Sequence, residues 1–150
     1  MGYDVAPILF ESEDAVTATA STELGSERKV GDKKYVYIYN GGSAAITSQS
    51  LVSILTAAVG PNTCTVSTTA NHMAKGIAPI TIPAASYGWI LKEGPQTISV
   101  ASGSSSLVLG PQQCGTDGVV KTLVAGGYPV GNLNTAVVSG NTGLLWVKIP

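Results

Sequence analysis

The sequence predicts an all-β protein, a compact β-sandwich or barrel of short strands with an extended N-terminal arm. Three observations carry this expectation. Charged residues make up only 11% of the chain, against about 25% in an average soluble protein, so the charged side chains that sustain long helices are scarce. Ser and Thr together number 30, beside 18 Gly and 8 Pro, a mixture suited to short strands and tight turns. Apolar residues recur with the two-residue period of strands, and no segment carries a long helical stripe. At 150 residues the chain has the length of one domain with a buried core.

Charge divides the chain in two. Residues 1–32 hold seven acids (Asp4, Glu11, Glu13, Asp14, Glu23, Glu27, Asp32) against Arg28 and Lys29, a net of −5. Residues 33–150 hold six lysines against Glu93 and Asp117, a net of +4. The expected organisation is therefore an acidic arm over 1–32 and a β body over 33–150. Within the arm Val5, Ile8, Leu9 and Phe10 form an apolar patch around Pro7, and Val16–Ala20 has the pattern of one strand.

The body opens at Tyr35-Val36-Tyr37-Ile38-Tyr39, where aromatic and β-branched residues alternate. Asn40-Gly41 follows, a pair suited to the positive φ angles of a tight hairpin. Leu51–Leu55 fits either a helix capped by Ser48 or a short buried strand, and its neighbours favour the strand. Further strands are expected at Cys64–Thr69, Gly76–Ile82, Tyr87–Lys92, Thr97–Ala101, Leu107–Leu109, Val119–Val124, Thr135–Ser139 and Leu144–Ile149. Turn formers separate them, among them Gly94-Pro95, Gly110-Pro111, Gly126-Gly127 and Gly140-Asn141. An internal echo also shows. Gly76-Ile77-Ala78 leads through Ile80 and Ile82 to Gly88-Trp89-Ile90-Leu91-Lys92, as Gly131-Asn132-Leu133 leads through Val137 and Val138 to Gly143-Leu144-Leu145-Trp146-Val147-Lys148.

Residues that carry chemistry are few. His72 is the sole histidine, so one chain has no multi-histidine metal site, and no metal or other cofactor is expected. No serine has the glycine-flanked elbow of a hydrolase; the nearest pattern, Gly103-Ser104-Ser105-Ser106, lacks the second glycine. Glu93 and Asp117, the only acids of the body, read as solvated loop acids rather than a catalytic pair. Glycine pairs lie between strands and lack the lysine and helix N-terminus that hold a phosphate. An enzyme is not expected. Six scattered lysines make no nucleic-acid footprint, and no apolar run reaches the roughly 20 residues of a membrane helix. No signal-peptide pattern is visible, so synthesis in a cytoplasm is expected. Cys64 and Cys114 read as two buried thiols or as one disulfide. Tyr35, Tyr37 and Tyr39 share one strand face, and Tyr87 and Trp89 share another. With no basic residues between them, they read as core or subunit contact rather than a stacking platform.

The segments Tyr35-Val36-Tyr37-Ile38-Tyr39-Asn40-Gly41, Lys75-Gly76-Ile77-Ala78 and Ile82-Pro83-Ala84-Ala85-Ser86-Tyr87-Gly88-Trp89-Ile90 resemble the small capsid decoration (head-stabilising, cement) proteins of tailed bacteriophages. Gly94-Pro95 followed by Gln96–Val100, and the closing Gly143–Ile149, extend the likeness over residues 33–150. Pro83-Ala84-Ala85 stands where the family has a turn glycine, and the 32-residue leader lies outside the pattern. The resemblance implies a compact β fold that trimerises on the outer surface of a virion and bridges neighbouring major capsid proteins, a mechanical task. Ile8, Leu9, Phe10, Tyr87 and Trp89 are then the expected capsid or subunit contacts. The alternative from another class is a ligand-binding β module, such as a tail-fibre or carbohydrate-binding domain.

Overall fold

In the computed structural model the described residues are 15–55, 59–67, 73–100, 106–115, 118–122 and 128–150. They form one mixed sheet of ten strands and contain no helix. The strands are β1 (Glu27–Val30), β2 (Lys33–Asn40), β3 (Leu51–Ile54), β4 (Thr63–Val66), β5 (Gly76–Ile77), β6 (Tyr87–Ser99), β7 (Gly110–Cys114), β8 (Val120–Thr122), β9 (Pro129–Leu133) and β10 (Thr142–Lys148). Along the sheet they run β1-β2-β4-β3-β5-β6-β10-β9-β7-β8. A further β2–β6 pairing closes β2, β4, β3, β5 and β6 into a ring. Only β2–β4 is parallel among these pairings.

The 13-residue β6 joins two modules. Its first half pairs with β2 from Tyr87 to Glu93 and meets β5 at Leu91. Its second half, Glu93 to Ser99, pairs with β10. The Gly94-Pro95 turn expected from the sequence is instead the middle of this strand. Gly94 has φ of 120°, and a side chain there would lie 2.6 Å from the Asp32 carbonyl and 2.9 Å from the Lys33 Cα. The glycine lets β6 pass under the β1–β2 turn, a close approach that only glycine permits.

The internal echo is a topological repeat. In the first module β3 pairs with β4 and β5, β5 pairs with β6, and Ile46 bridges Ile82. In the second, β7 pairs with β8 and β9, β9 pairs with β10, and Leu107 bridges Val137. Equivalent residues stand 55 positions apart: Ile82 and Val137, Ala85 and Gly140, Gly88 and Gly143. Ala85 N–H donates to the Asn40 carbonyl (3.0 Å) as Gly140 N–H donates to Val100 (2.8 Å), with φ of 55° and 82°. A Cβ on Gly88 would come 2.9 Å from Ile82 Cδ1, and one on Gly143 would strike Val137 Cγ2. The repeated glycine leaves room for a repeated aliphatic plug.

Elsewhere tertiary contacts redraw the expected elements. Asn40-Gly41 makes no tight hairpin, for β2 takes its antiparallel partner from β6 far along the chain. Asn40 is fully buried, its amide donating to the carbonyls of Ala44, Ile82 and Pro83, each at 3.0 Å. The two amide hydrogens are thereby shared among three carbonyls near a sharp chain reversal. β1, β7 and β9 come from Glu-Arg-Lys-Val, Gly-Pro-Gln-Gln-Cys and Pro-Val-Gly-Asn-Leu, segments without the apolar alternation of strands. Their neighbours impose the pairing. Leu51–Leu55 resolves as β3, whereas Thr135–Ser139 and Val16–Ala20 each contribute only one bridge, at Val137 and Thr17.

Residues 15–32 lie against the body. Thr17 bridges Tyr87, Gly25 and Ser26 exchange backbone hydrogen bonds with Tyr37, and β1 pairs with β2. The division drawn at residue 32 falls in the turn of this β1–β2 pair.

Candidate binding surfaces

Two equivalent faces of the modules dominate the surface question. In an antiparallel pair, residues directly opposite point to the same side. In the first module Tyr35 stands opposite Leu91 and Tyr37 opposite Trp89. In the second, Pro95 stands opposite Trp146 and Thr97 opposite Leu144. The repeat aligns these sets residue for residue.

Their environments differ. Tyr35, Tyr37, Trp89 and Leu91 are all buried, Trp89 with 5% of its surface exposed. They belong to one core with Leu145, Val147 and Ile149 of the second module, and the N-terminal stretch adds contacts at Tyr37 and Trp89. Ser21 donates from its backbone N–H and its hydroxyl to Tyr37 Oη (3.1 and 3.0 Å), and Leu24 packs against the same core. The Arg28 guanidinium lies 4.4 Å from the centre of the Trp89 ring, a cation–π contact. Tyr37 lies tilted beside Trp89 at 4.9 Å between ring centres. Beside them Glu27 bridges Lys34 (2.7 Å) and Lys92 (3.3 Å). Those two lysines hold its carboxyl below the usual carboxylate range.

Leu144 and Trp146 are 58% and 44% exposed. Across the strands Trp146 continues a row of Pro95, Asn132 and Pro111, spanning β6, β10, β9 and β7. Lys148 and Glu93, opposite one another, bound the face on one side. This surface escaped the sequence reading, although its signal is present. Thr142–Lys148 has Leu145 and Val147 on one side and Leu144 and Trp146 on the other, so both faces of β10 are apolar and only one points to the core.

The expected contact residues therefore separate. Trp89, expected at a partner interface, is buried within its own chain, packed into the core with Tyr37 beside it and Arg28 over its ring. Tyr87 is half-buried, tilted against Tyr39 at 4.8 Å and stacked with Tyr37 at 6.1 Å between ring centres. Ile8, Leu9 and Phe10 lie outside the described residues, as do His72 and Asp117. Glu93 sits on β6 between Lys34 and Lys148. Cys64 is a free, buried thiol pushed up to about 12 by desolvation. An open cleft of about 240 Å³ runs between Gly25, Glu27, Asn62, Lys75, Lys92 and Pro150. It falls short of the ~300–1,000 Å³ typical of small-molecule sites.

No protein-family model matches the chain, and no curated protein matches it. Among solved structures, the chain is similar to the N base of the head fiber gp8.5 of bacteriophage phi29. That similarity has a TM-score of 0.55 at 12% identity and covers 76% of this chain and 94% of the other. The shared property is the fold.

Proposed function

We propose that this chain is a non-enzymatic structural protein of a tailed-phage virion, seated on the outside of the capsid and tying neighbouring major capsid proteins together. The observation that carries the reading is the shared fold with a phage head fiber base, a match that takes in nearly all of that base. The sequence resemblance to capsid decoration proteins points to the same kind of particle independently of the fold. An exposed tryptophan–leucine face with little charge suits a protein that works against other subunits. Of the tyrosine row that a sugar-binding module would display, Tyr35 and Tyr37 are buried and Tyr39 is half-buried, which favours the structural reading over the ligand-binding one.

The working form in this proposal is a homotrimer. Light scattering after gel filtration then gives three times the 15.2 kDa chain mass. The decisive experiment is quantitative mass spectrometry on purified virions of the encoding phage, with binding of the recombinant protein to heads that lack it. A fixed ratio to the major capsid protein and saturable binding to expanded heads are expected. Virions without the chain, or heads that do not bind it, would overturn the proposal.

A further inference from the structure

The outward side of β10 and of the second half of β6 is laid out in matched rows. Thr97 stands opposite Leu144, Pro95 opposite Trp146 and Glu93 opposite Lys148. Alternation along the two strands sends these six side chains to one side, and Ile98, Leu145 and Val147 into the core. Charge is thin over this half of the chain, where only Asp117, Lys121 and Lys148 carry any after Gly94. Most of the large apolar side chains exposed among the described residues fall there too, Leu144 and Trp146 included. Apolar surface with little charge is the composition of contacts between copies of one chain.

We propose that copies of this chain meet on this face, β10 of one copy against β6 of the next, around an axis parallel to the strands. The rows carry the argument. Rotation about such an axis leaves each residue's position along the strand unchanged, so every row meets itself. Trp146 then lies against Pro95 of the next copy, Leu144 against Thr97 and Lys148 against Glu93. Apolar meets apolar, and positive meets negative, with no adjustment of register. A slip of one row, about 7 Å, would put Lys148 over Pro95 and Trp146 over Thr97. Among the described residues the ion pairs are those of Glu27 with Lys34 and Lys92, which leaves Glu93 and Lys148 to a neighbour. A capsid site would give the face no reason to complement itself row by row. The inference rests on the homotrimer proposed above and assigns its interface.

The test is light scattering on purified full-length protein, without capsids. Trp146→Asp should run as a monomer at concentrations where the wild type has three times the 15.2 kDa chain mass. Its far-ultraviolet circular dichroism should be unchanged, because the side chain lies outside the core. Glu93→Lys and Lys148→Glu, each alone, set like charges against each other and should raise the dissociation constant several-fold. An equimolar mixture of the two should regain most of the lost association, which charges paired only within one copy could not do. A mixture that associates no better than its components overturns the row-to-row register. If Trp146→Asp keeps the wild-type mass, the inference is wrong and the homotrimer stands on another interface. If it keeps that mass but no longer binds heads, the face belongs to the major capsid protein instead. A wild type that stays monomeric at every concentration removes the homotrimer and this interface together.

Discussion

The two modules share a strand plan and differ in what lies on their outer faces. In the first, Tyr35, Tyr37, Trp89 and Leu91 are buried in a core that continues into the second module, with Ser21 and Arg28 laid against Tyr37 and Trp89. In the second, Leu144 and Trp146 stay exposed on an equally well paired sheet. Repeated backbone hydrogen bonds therefore do not dictate repeated burial. The topology specifies positions, and what packs against them decides whether an apolar side chain becomes core or contact surface.

The largest contrast is between the equivalent residues Trp89 and Leu144. Trp89→Ala should destabilise the fold by about 3–5 kcal/mol, the range for truncating a large buried aromatic. Leu144→Ala should cost no more than about 1 kcal/mol, because most of its surface lies outside the fold. Equal losses in chemical denaturation would show that the second face is as much a part of the core as the first.

A smaller effect sharpens the likeness rather than the difference. Gly88→Ala and Gly143→Ala should each destabilise by about 1–3 kcal/mol, as overpacking does. Combining Gly88→Ala with Ile82→Ala should recover part of that loss, since the new methyl enters space that Ile82 vacates. Strict additivity in the double-mutant cycle would remove steric contact as the reason for the repeated glycine.

The smallest effect concerns Glu27, which bridges Lys34 and Lys92 beside the first face. Its carboxyl is held below the ordinary range by Lys34 and Lys92. A depressed carboxylate contributes stability above its unfolded pKa and loses it as pH falls through the lower folded value. Glu27→Gln should therefore lower the melting temperature slightly at neutral pH, and the difference should vanish on acidification below the carboxylate range. Exposure and salt screening keep this effect slight. A gap that widened in acid would reverse the assignment.

The sequence by itself determined the all-β class, the strand cores at β2, β6 and β10, and the repeat marked by Gly76, Gly88, Gly131 and Gly143, while it left Leu51–Leu55 open between helix and strand. Those features rest on local period and on residues with strong backbone preferences, which any short window displays. Tertiary structure alone decided that Asn40 is a buried clasp, that Gly94-Pro95 continues a strand, and that Glu27–Val30 joins the sheet. Each depends on a partner far along the chain: Ile82 and Pro83 for Asn40, the Asp32–Lys33 crossing for Gly94, and β2 for β1. The division between buried Trp89 and exposed Trp146 is of the same kind. Both lie in alternating strands, but Trp89 packs into the shared core with Arg28 over its ring, whereas Trp146 lies on the outward side of β10.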